Sequence, residues 1–366
     1  MKKIIQINTV CYGSTGKVMK NIQKNAEEKG FKTLSIYGRG KGYNDLNCIK
    51  IGGFFSFWLH VILSTVFDSQ GYHGSYFKTK KIVKILKKEN PDVIYLHNIH
   101  GYYLNYPVLF NFLKNDYNGK IYWVFHDCWP FTGHCAYFTL KKCKRWKKEC
   151  HNCPNKKVYP ISLIFDNSKK NYLRKKEIFN SLTNVTIITP SDWLNHLVKK
   201  SFLKKYDVKT INNTIDESIF QSKKNDEILQ KYNIDKSKKI VLGVANIWEE
   251  RKGLNDFIKI ATKLPNDYQV VLVGISKRQK KKVPNNIICI SRTENQNDLA
   301  VLYSSAYVFV NPTYEDNYPT VNLEAIACKT KVICYDTGGC KEQIINGKGF
   351  IVPVGNINKL IKGIIE

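Results

Sequence analysis

The sequence predicts an α/β protein built from two doubly wound domains, each a parallel sheet with helices on both faces. Three observations carry this. Short apolar runs recur along the chain, and most lead through a glycine, proline or polar turn into a helical stretch. At 366 residues, 43% hydrophobic and 24% charged, the chain has room for two cores and is not disordered. Late in the chain, two strand ends and two helix starts fall side by side between Asn311 and Cys340. The expected division is residues 1–215 and 216–366.

Ile4–Thr9 is the first strand, and Cys11-Tyr12-Gly13-Ser14-Thr15-Gly16-Lys17 leads into a helix over Val18–Gly30. Gly13 and Gly16 let a backbone approach a phosphate, or simply make a tight turn. The glycine spacing is not that of a Walker loop. Phe31–Tyr37 is the second strand. Gly52–Phe67 is strongly apolar and aromatic with no Asp, Glu, Lys or Arg. It is too short to span a bilayer, so it is either a buried helix or one lying in a membrane interface, and Lys78, Lys80, Lys81 and Lys84 follow it.

Asp92–Leu96 is a strand that ends in His97-Asn98-Ile99-His100-Gly101-Tyr102-Tyr103. Ligands of open α/β sheets bind beyond the carboxyl ends of strands. His97, His100, Tyr102 and Tyr103 are therefore candidates for a saccharide acceptor, since aromatic faces stack on sugar rings. Ile121–Phe125 is the next strand and ends in His126-Asp127, where Asp127 would orient or charge-tune the imidazole.

A basic insert follows, at about 128–157. Cys135, Cys143, Cys150 and Cys153 are spaced C-x7-C-x6-C-x2-C within it. Four thiols so close could hold one tetrahedral zinc, which would stabilise a segment expected to have little core of its own. Free thiols in a reducing compartment are the alternative. Val185–Thr189 is a strand, Ser191 caps the next helix, and Val208–Asn212 is a short strand before the linker.

The second domain opens with the strand Ile240–Ala245, then Arg251-Lys252-Gly253 and a helix. Gln269–Gly274 and Ile287–Ile290 are strands, with a solvated run Lys277–Lys282 between them. A helix over Leu299–Ser305 leads to the strand Ala306–Val310, and after it come Glu315, Asp316 and a helix start at Pro319-Thr320-Val321 carrying Glu324. Lys331–Tyr335 is the following strand, ending in Thr337-Gly338-Gly339. Helix starts suit phosphate, and carboxylates beside them suit sugar hydroxyls, so this stretch reads as a nucleotide-sugar pocket.

Asp316 and Glu324 stand eight apart, and YEDNYPTVNLEAIAC resembles the E-x7-E region of retaining GT-B glycosyltransferases of the family 4 type (glycosyltransferase group 1), with Asp for the first Glu and Pro319 for the usual Gly. Arg251-Lys252-Gly253 matches that family's R-K-G, IxNTIDxxxF its linker, and HDCWPFTGHCAYF…CHNCP a Cys-rich sub-branch. The resemblance covers nearly the whole chain. It implies a GT-B fold, two Rossmann-like domains facing a cleft, and a retaining, metal-independent hexosyltransferase with no catalytic cofactor. A UDP- or GDP-sugar would be the donor and a saccharide or lipid-linked molecule the acceptor, in surface polysaccharide, capsule or lipopolysaccharide biosynthesis. Arg251, Lys252 and N–H groups at Thr320, Val321, Gly338 and Gly339 would hold the diphosphate. Glu324 would hold the ribose, Asp316 a hydroxyl of the transferred sugar, and His126 would face that sugar, with the Gly13 and Gly16 loop close by. Family members often end in a long helix; here only Asn358–Glu366 is left for it.

Lys and Arg number 58 against 30 Asp and Glu, a net charge of +28. An anionic partner follows, whether a phospholipid surface, a phosphorylated acceptor or nucleic acid. The basic residues are spread along the chain, and nucleic acid would leave the paired acids unexplained, so no specific nucleic acid is expected. Met1-Lys2-Lys3 runs straight into a strand, and the 11 cysteines fit a reducing compartment. The expected place is cytoplasmic, peripheral at the inner face of the cell membrane. The competing readings are a GT-B-like sugar-nucleotide epimerase and a basic nucleic-acid-binding protein.

Overall fold

The structure, a computed structural model, describes residues 2–345 and 347–366. The chain divides into two compact units, Met1–Asn212 and Asn213–Glu366.

The first unit runs β1 (Lys3–Val10), α1 (Gly13–Glu28), β2 (Lys32–Arg39), β3 (Cys48–Lys50), α2 (Phe54–Phe67), α3 (Tyr76–Glu89), β4 (Val93–Leu96), α4 (Tyr106–Asn115), β5 (Lys120–Val124), α5 (Ser168–Phe179), β6 (Val185–Thr189), α6 (Asp192–Lys199) and β7 (Asp207–Thr210). Its seven strands lie in the order β3-β2-β1-β4-β5-β6-β7, all parallel. β6 is buried at every position. That is why such strands read as unbroken apolar runs and not as alternating ones. α1 starts at Gly13, ahead of the expected Val18. Gly16 allows this early start: a Cβ there would lie 2.2 Å from the Cys11 carbonyl carbon, so only glycine lets the helix turn back so close to the strand end. Ser191 accepts a hydrogen bond from the Leu194 N–H at 3.1 Å, the cap its sequence predicts. β3, three residues long, shows no sequence pattern.

Two expectations about this unit change. The segment 128–157 does have a core. Trp146 is buried and its ring stacks on Phe138 (centroids 4.9 Å apart) and packs against Phe131 (5.3 Å). These rings belong to the same cluster as the sheet residues Trp123 and Ile187. α2 is not a buried helix: only His60 and Ser64 are buried along its length.

Asp68, fully buried, ends α2 and ties it to later segments. Its carboxylate accepts from His134 Nδ1 at 2.7 Å, Gln70 Nε2 at 2.8 Å and the Asn167 N–H at 2.9 Å. Gln70 Oε1 accepts in turn from Trp129 Nε1 at 2.8 Å.

The second unit runs α7 (Asp226–Lys231), β8 (Lys239–Val244), α8 (Leu254–Ala261), β9 (Tyr268–Val273), α9 (Lys277–Lys280), β10 (Ile287–Ile290), α10 (Gln296–Ser305), β11 (Val308–Asn311), α11 (Thr320–Ala327), β12 (Val332–Tyr335), α12 (Cys340–Gln343), β13 (Gly349–Val352) and α13 (Ile357–Ile365). Six strands lie in the order β10-β9-β8-β11-β12-β13, again parallel. The closing helix is present, and Leu360 and Ile364 bury its inner face in the core with Ile260 and Val352. In each sheet the strand order reverses once, between β1 and β4 and between β8 and β11. Those are the switch points where such sheets bind ligands.

Candidate active site

At the second unit's switch point the loop after β8 meets the loop after β11. The Arg251 carbonyl accepts from the Tyr314 N–H at 2.7 Å and from Thr313 Oγ1 at 3.2 Å. Arg251 NH1 donates to the Glu315 carbonyl at 2.9 Å, and its Nε to Glu249 at 2.8 Å. Lys252 pairs with Asp316 at 2.5 Å. Burial alone would raise the Asp316 carboxyl's pKa, but the Lys252 and Arg251 charges outweigh it and hold it below the ordinary value. The carboxylate is therefore ionised at neutral pH. Two cations and an acid sixty-odd residues later in the chain thus share one place.

α11 starts at Thr320 with Pro319 as its cap, and no side chain caps it. The N–H groups of Thr320 and Val321 lie in its first turn, where an anion is favoured. Glu324, one turn in, is buried and accepts from Tyr303 OH at 3.1 Å. Gly338 lies at φ +53°, and a Cβ there would stand 1.7 Å from the Asp316 carbonyl oxygen, so the β12 turn rests directly on the acidic loop. The Gly339 N–H, expected to face a phosphate, instead donates to the Asn317 carbonyl at 2.7 Å. That turn closes the loop instead of offering this donor.

Residues the sequence reading missed hold these loops in place. Asn311 donates to Asn322 (2.8 Å), Asn322 to Gln343 (2.9 Å), and Gln343 to the Pro319 carbonyl (3.0 Å), a buried chain of amides joining β11, α11 and α12. Asp256 on α8 accepts from both Tyr314 OH and Tyr335 OH at 2.8 Å. Their only sequence signal is a polar residue at a buried position of an apolar pattern.

In the first unit the ends of β4 and β5 bring a histidine pair together, beside Gln6 in the middle of β1. His97 and His126 stack with centroids 5.5 Å apart, and His97 Nδ1 lies 3.2 Å from His126 Nε2. His97 Nε2 lies 3.0 Å from Gln6 Oε1, while Gln6 Nε2 donates to the Met19 carbonyl at 2.9 Å. The amide therefore presents its oxygen to His97, which puts the His97 proton on Nε2 and makes His126 Nε2 the donor within the pair. Burial pushes both imidazoles down, His97 well below its ordinary value with help from His126, and His126 to about 4. Both are neutral at pH 7. His100 Nε2 stands 2.9 Å from Asp127 and its Nδ1 3.2 Å from Tyr159 OH. Asp127 thus hydrogen-bonds His100, while its charge also acts on the His126 imidazole, opposing the effect of burial.

Of the acceptor candidates, Tyr103 is in the core with its hydroxyl donating to the Asn98 carbonyl, and offers no ring face to a sugar. His97 is likewise buried. Tyr102, at φ +68°, is partly exposed and meets Phe57 and His60 edge-on. Gly13 and Gly16 lie in the first turn of α1, directly beyond β1.

The buried neutral histidines make a stability prediction. His60 and His126 titrate near 4 when folded and near 6.5 when free, and His97 shifts the same way. The unfolded chain then binds more protons below pH 6.5, so stability is complete above that pH and falls as pH drops toward 4. His126 alone should account for on the order of 3 kcal/mol at the acid end of that window. Urea-unfolding midpoints taken at neutral pH and near pH 5 should fall accordingly, and the fall should shrink in His126→Gln. Midpoints that do not move would mean these rings are protonated in the folded chain.

The four cysteines lie near one another but not as a ligand set. Cys135 and Cys153 hydrogen-bond to each other, which lowers the Cys153 thiol to about 7 and raises that of Cys135. Cys150 accepts from the Gly133 N–H at 3.3 Å, and with Cys143 it packs on the core of the first unit. Among the described residues no group of three or more His, Cys, Asp or Glu is placed to hold a metal ion. At the positions expected to hold zinc the structure shows a Cys135–Cys153 thiol pair beside an aromatic core that supports the segment.

Comparison with known proteins bears on both units. Over 193 residues the chain is 26% identical to a colanic acid biosynthesis glycosyl transferase, WcaC, of Escherichia coli (strain K12), covering 49% of this chain and 46% of that protein. Over 130 residues it is 31% identical to the N,N'-diacetylbacillosaminyl-diphospho-undecaprenol alpha-1,3-N-acetylgalactosaminyltransferase of Campylobacter jejuni, covering 34% of each. The chain thus spans half or less of the length of these curated relatives. The crystal structure of Anabaena HepE in complex with UDP superposes with a TM-score of 0.67 at 14% identity, over all of this chain and 89% of that one. Its structural neighbours are GT-B glycosyltransferases, and the fold is theirs, two parallel-sheet Rossmann-like α/β domains. Residues 224–366, which hold the Arg251, Asp316 and Glu324 site, match the family model of glycosyl transferases group 1.

Proposed function

We propose that this protein is a retaining glycosyltransferase that moves a sugar from a UDP- or GDP-sugar to a saccharide or lipid-linked acceptor of a surface polysaccharide, without a catalytic metal. The observation that carries the reading is the meeting of Arg251 and Lys252 with Asp316 at one switch point, beside an uncapped helix start and Glu324.

The chemistry follows from the leaving group. A nucleotide sugar departs as an anionic diphosphate, whose developing charge needs fixed cations and N–H donors. Arg251, Lys252 and the Thr320 and Val321 amides supply them. Lys252 already neutralises Asp316, so an arriving phosphate shares that ammonium and Asp316 turns to a hydroxyl of the sugar. Glu324 takes the ribose hydroxyls. The departing phosphate assists same-face attack by the acceptor, and His126, neutral, hydrogen-bonds the transferred sugar. The acceptor is assigned to the first unit, near His100 and Tyr102. HepE, solved with UDP, supports the donor class, and the Campylobacter relative, named for a diphospho-undecaprenol substrate, supports a lipid-linked acceptor. Such an acceptor places the protein at the inner face of a membrane, against anionic lipid.

Thermal melting with UDP, GDP, ADP and their sugar conjugates, with and without EDTA, tests the donor site. A nucleotide at 100 times its Kd should stabilise by about 2.7 kcal/mol. The expected result is a shift with one base that survives EDTA and disappears in Glu324→Ala. A folded protein that shifts with no nucleotide would overturn the reading.

A further inference from the structure

We propose that three separate segments of the first unit form one lipid-inserting surface for an anionic phospholipid bilayer: the outer face of α2, the first turn of α3, and residues 158–165. The inference deepens the membrane placement proposed above and rests on that placement, not on the sugar chemistry.

The segments expose large apolar side chains far beyond what a solvated surface needs. Phe55 is 87% exposed and Phe54 73% on α2, Phe77 83% on α3, and Leu163 61% and Ile164 60% in the third segment. A contiguous patch of this kind marks an interaction site. The structure joins the three. The Leu163 and Phe165 N–H groups donate to the Thr65 and Val66 carbonyls at 2.8 and 3.1 Å, and Phe165 stacks flat on Phe67 with centroids 5.7 Å apart. Asn167 donates to the Phe67 carbonyl at 2.7 Å. Ser75, which precedes α3, meets His60 Nδ1 of α2 at 2.8 Å. Residues 158–165 are thus pinned along the C-terminal half of α2 and α3 begins beside its middle.

Cations stand against each segment. The Lys78 ammonium lies beside Gly53 at the start of α2, where a Cβ would meet it at 3.5 Å. Lys80 sits over the Tyr76 ring at 4.8 Å, Arg39 over the Phe57 ring at 5.6 Å, and Lys156 donates to the Ile164 carbonyl at 3.1 Å. Residues 48–67, 69–88 and 150–165 contain no Asp or Glu. Protruding aromatic and aliphatic groups ringed by Lys and Arg, with no carboxylate among them, fit the acyl boundary and phosphates of an anionic bilayer. A protein partner would have to ring its own apolar face with carboxylates to match the cation rim. Among the described residues no helix is long and apolar enough to cross a membrane, so insertion is from one side.

The test is co-sedimentation of the full chain with phosphatidylcholine vesicles carrying phosphatidylglycerol, against phosphatidylcholine alone, with the nucleotide melting shift read on the same preparations. Two variants are compared, Phe54→Ser with Phe55→Ser, and Leu163→Ser with Ile164→Ser. All four positions are more than half exposed, so neither pair should lower the melting midpoint. The expected result is binding to the anionic vesicles that salt weakens, cut about tenfold or more by either pair, with the nucleotide shift intact. Wild-type binding lost only in the first pair would overturn the three-segment surface in favour of α2 alone. Equal binding to neutral vesicles would overturn the choice of anionic lipid. A wild-type chain that ignores vesicles but forms a dimer split by these substitutions would show the patch to be a subunit interface. Each of these results leaves the nucleotide shift, and so the transferase reading, standing or falling by itself.

Discussion

Arg251→Ala is expected to lower kcat/KM for sugar transfer by roughly 10²–10³, about 2.7–4 kcal/mol of transition-state stabilisation. The guanidinium is held on both sides, by Glu249 and by the Glu315 carbonyl, so its fork keeps one direction before any donor arrives. A preorganised cation acts most strongly where charge grows, on the leaving diphosphate. Its loss should therefore fall on kcat as well as KM. Arg251→Lys separates charge from geometry: it keeps the cation and loses the planar fork, and should recover only part of the rate. The melting midpoint without ligand should change little, because the side chain is partly exposed and its partners can be solvated. Near-normal turnover in a folded Arg251→Ala protein would remove this residue from the mechanism.

Asp68→Ala should destabilise the first unit by about 3–5 kcal/mol, the cost of leaving a buried polar partner without its carboxylate. Three donors converge on that one side chain, from Gln70, His134 and the Asn167 backbone. Alanine would strand all three in a place water does not reach. Asp68→Asn keeps the shape and one acceptor oxygen and should cost less. Five of the six tryptophans lie in the first unit, so urea unfolding followed by fluorescence reports mainly on it. A loss below about 1 kcal/mol would mean the site relaxes or admits water. The same variant should free residues 158–167 from α2, and increased proteolysis there would accompany the lost stability.

The strands were legible because a parallel sheet buries both faces, and Val185–Thr189 and Ile287–Ile290 can be read off as apolar runs to the residue. β3 was not, since three residues at a sheet edge carry no period. The acids and cations of the second unit were legible by type and spacing; their meeting followed from strand order, since each loop leaves a strand beside the reversal. The partners of those groups were hidden. Gln6 sits in the middle of a strand and reaches His97 only through the alignment of β1 with β4, in which Ile7 lies opposite Leu96. Asp256 and its two tyrosines are 58 and 79 positions apart. The apolar helix α2 was visible at once, yet nothing local distinguishes a helix buried in the core from one left bare. That depends on what packs over it, and residues 158–165 join its edge without covering it. The Phe131, Phe138 and Trp146 cluster that supports the cysteine segment was hidden because its three rings stand 7 and 8 positions apart in a stretch with no strand or α-helix to give it a period.

The strand order also sets a timetable for synthesis. β1 leaves the ribosome first, but one of its two neighbours, β4, follows only after two further strands and three intervening helices, and β8 waits in the same way for β11. Until then β1 and β8, interior strands of the finished sheets, are open edges with unpaired amides. Pairing across such separations is slow because the loop must close before the contact rewards it. Chains released early, or translated past a shortage of helper chaperones, should therefore aggregate through β1 and β8 rather than through the outer strands, and ribosome-stalled fragments ending before β4 should be more protease-sensitive than fragments ending after it.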